Sequence, residues 1–193
     1  MGVDIYFPKD TMENIIPLIK RDLKNSSVMK PLKIAQLAPP FLRVPPKKYG
    51  GTELIISYLT EELVKRGHKV TLFASGDSET QAKLVSVFPK ALYWKGISWE
   101  DPYSSLLHCF SCFEKADNFD IIHNHFHYFG LCFSAFSRTK VVTTYHGDFS
   151  SAIEKNPIKY KILKKFKNSP FVSISNSQRK IKGLKLNFIK TIY

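Results

Sequence analysis

Apolar runs of strand length alternate with amphipathic stretches from Lys33 to the end of the chain. The first runs, KIAQLA and KVTLFAS, are almost continuously apolar rather than alternating. Continuous apolar strands are covered on both faces, which is typical of a parallel sheet between two layers of helices. The pattern therefore predicts an α/β fold, a Rossmann-like doubly wound parallel sheet with helices on both faces. The other predicted strands, in chain order, are VSVFP, FDIIHNHF, KVVTTYHGD, PFVSISNS and NFIKTIY.

Helices are predicted between several of these strands. TELIISYLTEELVKRG ends at Gly67, which suits a helix C-terminus. Its apolar residues at helical spacing are Leu54, Ile55, Tyr58, Leu59 and Leu63. Three further helices are predicted in SLLHCFSCFEKA, GLCFSAFSR and IKYKILKKF. Residues 1–31 are predicted to be an N-terminal extension with a short helix in MENIIPLIKRDL, and residues 32–193 are predicted to form the folded domain.

Cysteine content and hydropathy bear on the compartment. The three cysteines, Cys109, Cys112 and Cys132, are too few for a disulfide framework, which favours a reducing environment. No apolar run approaches the roughly 18 residues that span a bilayer. The first residues contain no apolar signal segment, so a cytoplasmic protein is expected. Cys109 and Cys112 form a CxxC without a second pair, and we expect them to be buried structural thiols.

Positive charge is concentrated in the last part of the chain. The net charge is +13, and residues 151–193 contain eleven Lys or Arg against one acid, Glu154. A core-packed helix with a solvated outer face explains much of this charge. Contact of residues 155–167 with an anionic membrane surface is the alternative, and it would make the protein peripheral to the membrane. Nucleic acid is not an expected partner, because Phe166 and Phe171 are better placed in the core.

Polar residues follow the predicted strands at their carboxyl ends. In an open parallel sheet, ligands bind in the crevice beyond these ends. A functional site is therefore predicted at this edge of the sheet. The polar segments that follow successive strands are residues 49–53, 75–77, 123–127, 145–148 and 176–177.

The pair Gly50-Gly51 opens the first predicted helix. Two glycines let a backbone approach a ligand closely, and a helix N-terminus offers free N–H groups to a phosphate, with Lys47 and Lys48 nearby. A flexible turn capped by Thr52 explains the same residues equally well. The chain contains neither a P-loop nor G-x-G-x-x-G. A dehydrogenase-type domain with Asp77 on a ribose is therefore disfavoured.

Histidines are the candidate catalytic residues at this edge. His146 follows a buried strand and precedes Gly147, and Asp148 is close enough in sequence to influence its protonation. A loop histidine bonded to backbone is the alternative. His123, His125 and His127 alternate, which would suit a metal site if the strand continued through them. The strand is expected to end within this run, so no metal is predicted.

These residues resemble a known family. The block LKIAQLAPPFLRVPPKKYGGTELIISYLTEELVKRGHKVTLFASGDSET is similar to the opening of glycosyltransferase family four, the group-one glycosyltransferases of GT-B fold. FDIIHNHF, VVTTYHGD and FVSISNSQR resemble the later strands of the same domain, in order. The resemblance covers residues 32–193 and is greatest to the avilamycin-type subset. It implies that this region is the N-terminal half of a GT-B fold.

The resemblance implies an activity and a division of labour. Such enzymes have two Rossmann-like domains, of which the first mainly binds the acceptor and the second binds a nucleoside diphosphate sugar. Transfer proceeds with retention of configuration and without a metal or other cofactor. By position, His146 matches the histidine that approaches the transferred sugar, and Gly50, Gly51 and Thr52 match the loop facing the donor diphosphate. The residues matched to the acceptor side or cleft wall are Tyr49, His123, His125, Asp148 and Asn176.

The resemblance also implies a donor domain, with a Glu-x7-Glu motif, beyond the strand that ends at Tyr193. The chain is accordingly expected to be a fragment that does not transfer sugar alone. Its expected partners are a sugar nucleotide, a sugar or lipid-linked acceptor, and the missing C-terminal donor domain. The alternative is a non-catalytic acceptor- or membrane-binding module that pairs with a separate donor-domain chain.

Overall fold

A computed structural model describes residues 30–192 of the chain. The extension predicted over residues 1–31, with its helix in MENIIPLIKRDL, lies outside the described residues except for its last two positions.

The sheet contains seven parallel strands in the described residues, and its order is β3-β2-β1-β4-β5-β6-β7. This order confirms the predicted Rossmann-like doubly wound sheet. Strand order reverses between β1 and β4, because the chain first builds outward from β1 and then returns to its other side. The strands are β1 (Lys33–Leu37), β2 (Lys69–Phe73), β3 (Lys83–Val85), β4 (Ile121–Asn124), β5 (Lys140–Thr144), β6 (Phe171–Ser173) and β7 (Phe188–Thr191).

Five α-helices accompany these strands within residues 30–192. The second begins earlier than predicted, because the Asp101 carboxylate accepts a hydrogen bond from the backbone N–H of Ser104 and Pro102 fits the first helical turn. The fourth was not predicted from the sequence. The helices are α1 (Gly51–Lys65), α2 (Pro102–Phe113), α3 (His127–Phe133), α4 (Phe149–Lys155) and α5 (Ile158–Lys165).

The edge strand β3 differs from its prediction. VSVFP overlaps the observed strand only at Val85, and the strand pairs through Lys83 to Val85 with the end of β2. Beyond Val85 the chain has already turned, and the carbonyl of Phe88 accepts a hydrogen bond from the N–H of Gly76 at 2.8 Å. Pairing with β2, rather than local hydropathy, therefore sets the bounds of this short edge strand.

Apolar side chains pack on both faces of the sheet, because successive residues of a strand point to opposite sides. On the side of α1, Leu72 packs with Ile56. On the side of α2, the next residue, Phe73, packs with Cys109 and Cys112. Both thiols are fully buried, and burial raises the pKa of Cys112 to about 12. The prediction that these cysteines are structural thiols is confirmed.

Of the five apolar residues at helical spacing in α1, only Leu63 is buried. Tyr58 is exposed, and Leu54, Ile55 and Leu59 are only partly buried. Small polar residues occupy part of the face that meets the sheet, which lets the helix approach closely. The buried residues are Glu53, Ile56, Ser57, Thr60 and Leu63.

The basic helix α5 is anchored by few apolar residues. Leu163 is buried, whereas Ile158 is 55% exposed. The exposed lysines of this region are Lys155, Lys161, Lys164, Lys165 and Lys167. Within residues 30–192, no helix combines the length and the apolar character needed to cross a bilayer.

Candidate functional site

A cleft of about 410 Å³ opens between the loop that follows β1 and the turn that follows β4. Its position is the point of strand-order reversal, where open α/β sheets bind ligands. Its volume is in the range of small-molecule sites. We call it the switch-point cleft, and its lining residues are Pro39, Phe41, Tyr49, Gly50, Gly51, Thr52, Glu53, Tyr93, Trp99, Phe126 and His127.

The turn at Gly50 forms one wall of the switch-point cleft. Gly50 has φ 141°, and a Cβ placed on it would lie 2.8 Å from both Glu53 Oε2 and Pro46 Cβ. A side chain on Gly51 would meet nothing within 4 Å. Gly50 itself occupies the N-cap position of α1 and no side chain caps it, so the alternative in which Thr52 caps the turn is wrong. The backbone at Gly50, rather than a cap, shapes this wall.

Glu53 is a site residue that the sequence did not single out. It lines the cleft, yet only 2% of it is exposed. Burial raises its pKa to about 7, partly offset by a hydrogen bond from its own backbone N–H. Near neutral pH the carboxyl group can therefore either donate or accept a proton. The sequence signal that could have identified Glu53 is its helical spacing from Ile56, Thr60 and Leu63, since these residues share the buried face of α1.

Aromatic rings dominate the opposite side of the switch-point cleft. The Trp99 ring packs against Phe41, with centroids 5.4 Å apart, and against Tyr93 at 5.1 Å. None of the lining residues is Lys or Arg, and Lys47 and Lys48 are exposed outside it. This lining suits an uncharged ring with an apolar face. The diphosphate-facing role of Gly50, Gly51 and Thr52 stays a prediction.

The turn after β4 forms the second wall. Asn124 ends the strand, because its Oδ1 accepts a hydrogen bond from the N–H of Phe126 at 2.9 Å while its Nδ2 donates to the carbonyl of His127. His127 then adopts φ 42°, which is unfavourable for a residue with a Cβ. Its buried Nε2 has no hydrogen-bond partner in the described part of the chain. Strain and an unpartnered nitrogen together point to ligand contact, and sequence reasoning had noted only the alternation of this residue.

His146, at the end of β5, belongs to a hydrogen-bonded group. Its Nε2 lies 2.8 Å from Nδ1 of His125, and Nε2 of His125 lies 2.9 Å from Oε1 of Gln36. His123 is bonded separately, with its Nε2 2.8 Å from Oγ1 of Thr144. Burial lowers the pKa of His146 to about 3 and that of His123 to about 4. These imidazoles are therefore neutral at pH 7.

The alternating histidines do not form a metal site. His123 and His125 are buried, and their rings contact each other at 3.9 Å between centroids. Each is bonded to a different neutral side chain, and His127 turns into the cleft. Among residues 30–192, no group of three or more His, Cys, Asp or Glu is placed to hold a metal ion. His123 and His125 lie beneath the edge of the sheet, and their assignment to the cleft wall stays a prediction.

Two further predicted residues occupy exposed positions in the loops. The Asp148 carboxylate accepts hydrogen bonds from the backbone N–H groups of Ser150 and Ser151 and so caps α4. Burial, and not Asp148, is the main cause of the lowered pKa of His146. Asn176 is exposed and begins the short 3₁₀ turn Ser177–Arg179. A role on the acceptor side stays a prediction for both.

Two other side chains define the rim of the switch-point cleft and support the backbone beside it. Tyr49 is 79% exposed at the mouth of the cleft. Gln178, which sequence reasoning missed, donates from Nε2 to the carbonyls of Tyr145 and Gly147 at 2.8 and 2.6 Å. These bonds hold the backbone on both sides of His146.

Asp77, the candidate ribose ligand of a dehydrogenase, instead accepts a hydrogen bond from the N–H of Ala91.

A doubly wound parallel sheet with a cleft at its switch point defines a Rossmann-like α/β domain. The model of the family described as Glycosyltransferase Family 4 matches residues 49–180, more than half of the chain. The chain therefore belongs to glycosyltransferase family 4, and its fold is that of the N-terminal half of a GT-B enzyme. A comparison with curated protein sequences finds no match.

Proposed function

We propose that this chain is the acceptor-side half of a retaining glycosyltransferase. The enzyme would transfer a sugar from a nucleoside diphosphate sugar to a hydroxyl group of a sugar or lipid-linked acceptor. The switch-point cleft carries the proposal, because it is lined by aromatic rings, a buried carboxyl group and an imidazole whose Nε2 has no hydrogen-bond partner among residues 30–192. Family membership supports glycosyl transfer as the reaction class. The resemblance to the avilamycin-type subset supports the retaining mechanism and the nucleoside diphosphate sugar donor.

In this proposal the acceptor occupies the switch-point cleft. Its ring packs on Trp99 and Tyr93, and its hydroxyl groups bond to His127 and Glu53. Glu53, with a pKa of about 7, is suited to take a proton from the reacting hydroxyl. Neutral His146 approaches the transferred sugar as a hydrogen-bonding group rather than as a cation.

The remaining partners follow from the same proposal. A C-terminal donor domain binds most of the sugar nucleotide, and the turn at Gly50, Gly51 and Thr52 faces its diphosphate. The reaction includes no metal ion or other cofactor, and nucleic acid is not a partner. The exposed lysines of residues 155–167 support contact with an anionic membrane, so the proposed cytoplasmic enzyme would be peripheral to that membrane.

A non-catalytic module is the second candidate function. Every residue that lines the switch-point cleft belongs to this domain. The cleft could therefore bind an acceptor without a donor domain, and a separate chain would supply the chemistry.

A transfer assay tests the proposal. The chain is assayed alone and with a family 4 donor domain, supplied in frame after Tyr193 or as a second polypeptide. UDP-, GDP-, ADP- and dTDP-sugars are combined with neutral glycosides and lipid-linked sugars, and release of nucleoside diphosphate is measured. We expect release only with the donor domain, and a loss of about 100-fold or more in His146→Ala.

The outcomes separate the two candidates. Lys65→Ala, an exposed change in the last turn of α1, is the control and should leave release unchanged. Turnover by the chain alone would contradict the division of labour. If acceptor binding quenches Trp99 fluorescence but no nucleoside diphosphate is released under any condition, the non-catalytic module is favoured. Trp94→Phe, outside the cleft, serves as the matched fluorescence control for Trp99→Phe.

A further inference from the structure

Three side chains from three strand ends form one continuous chain of hydrogen bonds. Gln36 belongs to β1, His125 follows β4 and His146 follows β5. The two contacts measure 2.9 Å from Gln36 Oε1 to His125 Nε2 and 2.8 Å from His125 Nδ1 to His146 Nε2. Gln36 is fully buried and His125 is 1% exposed, so bulk water does not compete for these bonds.

The protons in such a chain are ordered. A neutral imidazole has one N–H and one lone pair, so the partner of one ring nitrogen decides the state of the other. Burial holds the pKa of His125 well below its ordinary value, so this ring is neutral. The Gln36 amide is oriented with Oε1 toward His125, and this oxygen only accepts, so His125 carries its proton on Nε2. The buried Nε2 of Gln36 has no hydrogen-bond partner among residues 30–192. Its Nδ1 is then a lone pair that accepts from Nε2–H of His146.

We propose that Gln36 is a positioning residue that acts through His125 to hold His146 as the Nε2–H tautomer. His146 then offers the lone pair of Nδ1 to a ligand, as a hydrogen-bond acceptor. Such a group recognises a hydroxyl donor, which is what a sugar presents. The meaning of this tautomer for transfer rests on the proposed function, whereas the tautomer itself does not.

Two observations support a positioning role. The Gln178 amide bonds to the carbonyls of Tyr145 and Gly147, so the backbone that carries His146 is fixed independently of its ring. The ring orientation is then left to His125, which stacks on it with centroids 5.1 Å apart.

Gln36 also lies outside the segment matched by the family model, residues 49–180. The first member of the hydrogen-bonded chain is therefore not part of that match.

Long-range ¹H–¹⁵N correlation spectra of the ¹⁵N-histidine-labelled chain at pH 7 test the proposal directly. The six histidines are assigned with single His→Gln variants. In the unmodified chain, we expect His125 and His146 to show a protonated Nε2 and an unprotonated Nδ1. In Gln36→Met, which keeps the side-chain length but removes the amide acceptor, we expect both rings to populate the Nδ1–H tautomer.

Thr144→Val is the matched control, because it removes the partner of the neighbouring buried His123 and leaves the chain from Gln36 to His146 intact. It should change the signals of His123 and leave the tautomer of His146 unchanged. Gln36→Leu replaces Gln36→Met if the latter does not fold. The proposal is overturned if His146 in the unmodified chain carries its proton on Nδ1. It is also overturned if a folded Gln36 variant leaves both tautomers unchanged.

The readout does not require turnover, so a failed transfer assay would leave this test valid. If transfer is observed with a donor domain, Gln36→Met should lower kcat by about tenfold or more, as expected when the group that orients a histidine is removed. The acceptor KM should stay unchanged, because Gln36 is buried and does not line the cleft assigned to the acceptor.

Discussion

At the residue scale, burial determines the protonation of the polar groups around the switch-point cleft. Desolvation penalises the charged form, so it raises the pKa of the Glu53 carboxyl and lowers that of the imidazoles of His127 and His146. His127 is further disfavoured as a cation by nearby Lys159. At pH 7 a ligand would therefore meet neutral imidazoles and a carboxyl group that is about half protonated.

Glu53→Gln should stabilise the protein at alkaline pH and have little effect below pH 5. The folded pKa is about 7, above the ordinary value of 4.5. The folded state therefore binds this proton more tightly, and its stability falls as pH rises from about 4.5 to 7. Removing the charge should raise the free energy of unfolding at pH 8 by about 1–3 kcal/mol.

Urea denaturation of both proteins at pH 5 and pH 8 measures this difference. Glu154→Gln, an exposed acid at the end of α4, is the control and should show no pH-dependent gain. An equal gain for Glu53→Gln at both pH values would show that charge is not the cause.

At the element scale, the start of α1 combines two features that the sequence left undistinguished. Gly50 and Gly51 are adjacent, but only Gly50 has a positive φ and close contacts to Glu53 and Pro46. The following helix then turns its small polar residues, Ser57 and Thr60, toward the sheet. Of the apolar residues named for their helical spacing only Leu63 is buried, because close packing against β1 and β2 favours small side chains over large ones.

Substitutions at the two glycines should have opposite consequences. Gly50→Ala places a Cβ in the left-handed region and 2.8 Å from Glu53 Oε2, so we expect a loss of about 1–3 kcal/mol in unfolding free energy. Gly51→Ala meets nothing within 4 Å inside a helix, so we expect a gain of up to about 1 kcal/mol. Thermal or urea denaturation of the pair measures both. Equal losses of unfolding free energy in the two variants would contradict the distinct backbone requirement at Gly50.

At the scale of the whole molecule, buried histidines join the central strands. His123 and His125 link β4 to Thr144 of β5 and to Gln36 of β1, and all of these residues are buried. Each such imidazole must be neutral in the fold but is free to bind a proton when the chain unfolds. The stability of the centre of the sheet therefore depends on pH.

The protein should lose stability as pH falls below about 6.5. The folded pKa values of His123, His127 and His146 are about 4, 4 and 3, below the ordinary value of 6.5, so the unfolded state binds more protons in this window. We expect the free energy of unfolding to fall by at least about 3 kcal/mol between pH 6.5 and 5.

Glu53 acts in the opposite direction over much of the same range, so the measurement is made in Glu53→Gln. Urea denaturation at half-unit intervals gives the slope, which reports the protons taken up on unfolding. A flat profile from pH 6.5 to 5 would mean that these histidines bind protons as readily in the folded protein as in the unfolded chain.

Much of the architecture was predictable, because strand burial and helix periodicity are local properties of the chain. Continuous apolar runs identified the parallel sheet, and the polar residues after each run indicated the edge at which the cleft opens. His146 and Gly50 were among them. Glu53 and His127 were not singled out, because their importance depends on burial, strain and missing partners rather than on residue type or spacing.

The sequence by itself determined that the chain builds a doubly wound sheet and that the polar segments 49–53, 123–127 and 145–148 follow its strands at the carboxyl edge. Only the tertiary structure decided which polar groups meet there. Gln36 and His125 are 89 residues apart, and pairing of β1 with β4 brings them to 2.9 Å. The physical reason is that hydropathy acts along the chain, whereas hydrogen bonds and desolvation depend on neighbours that the strand order brings together.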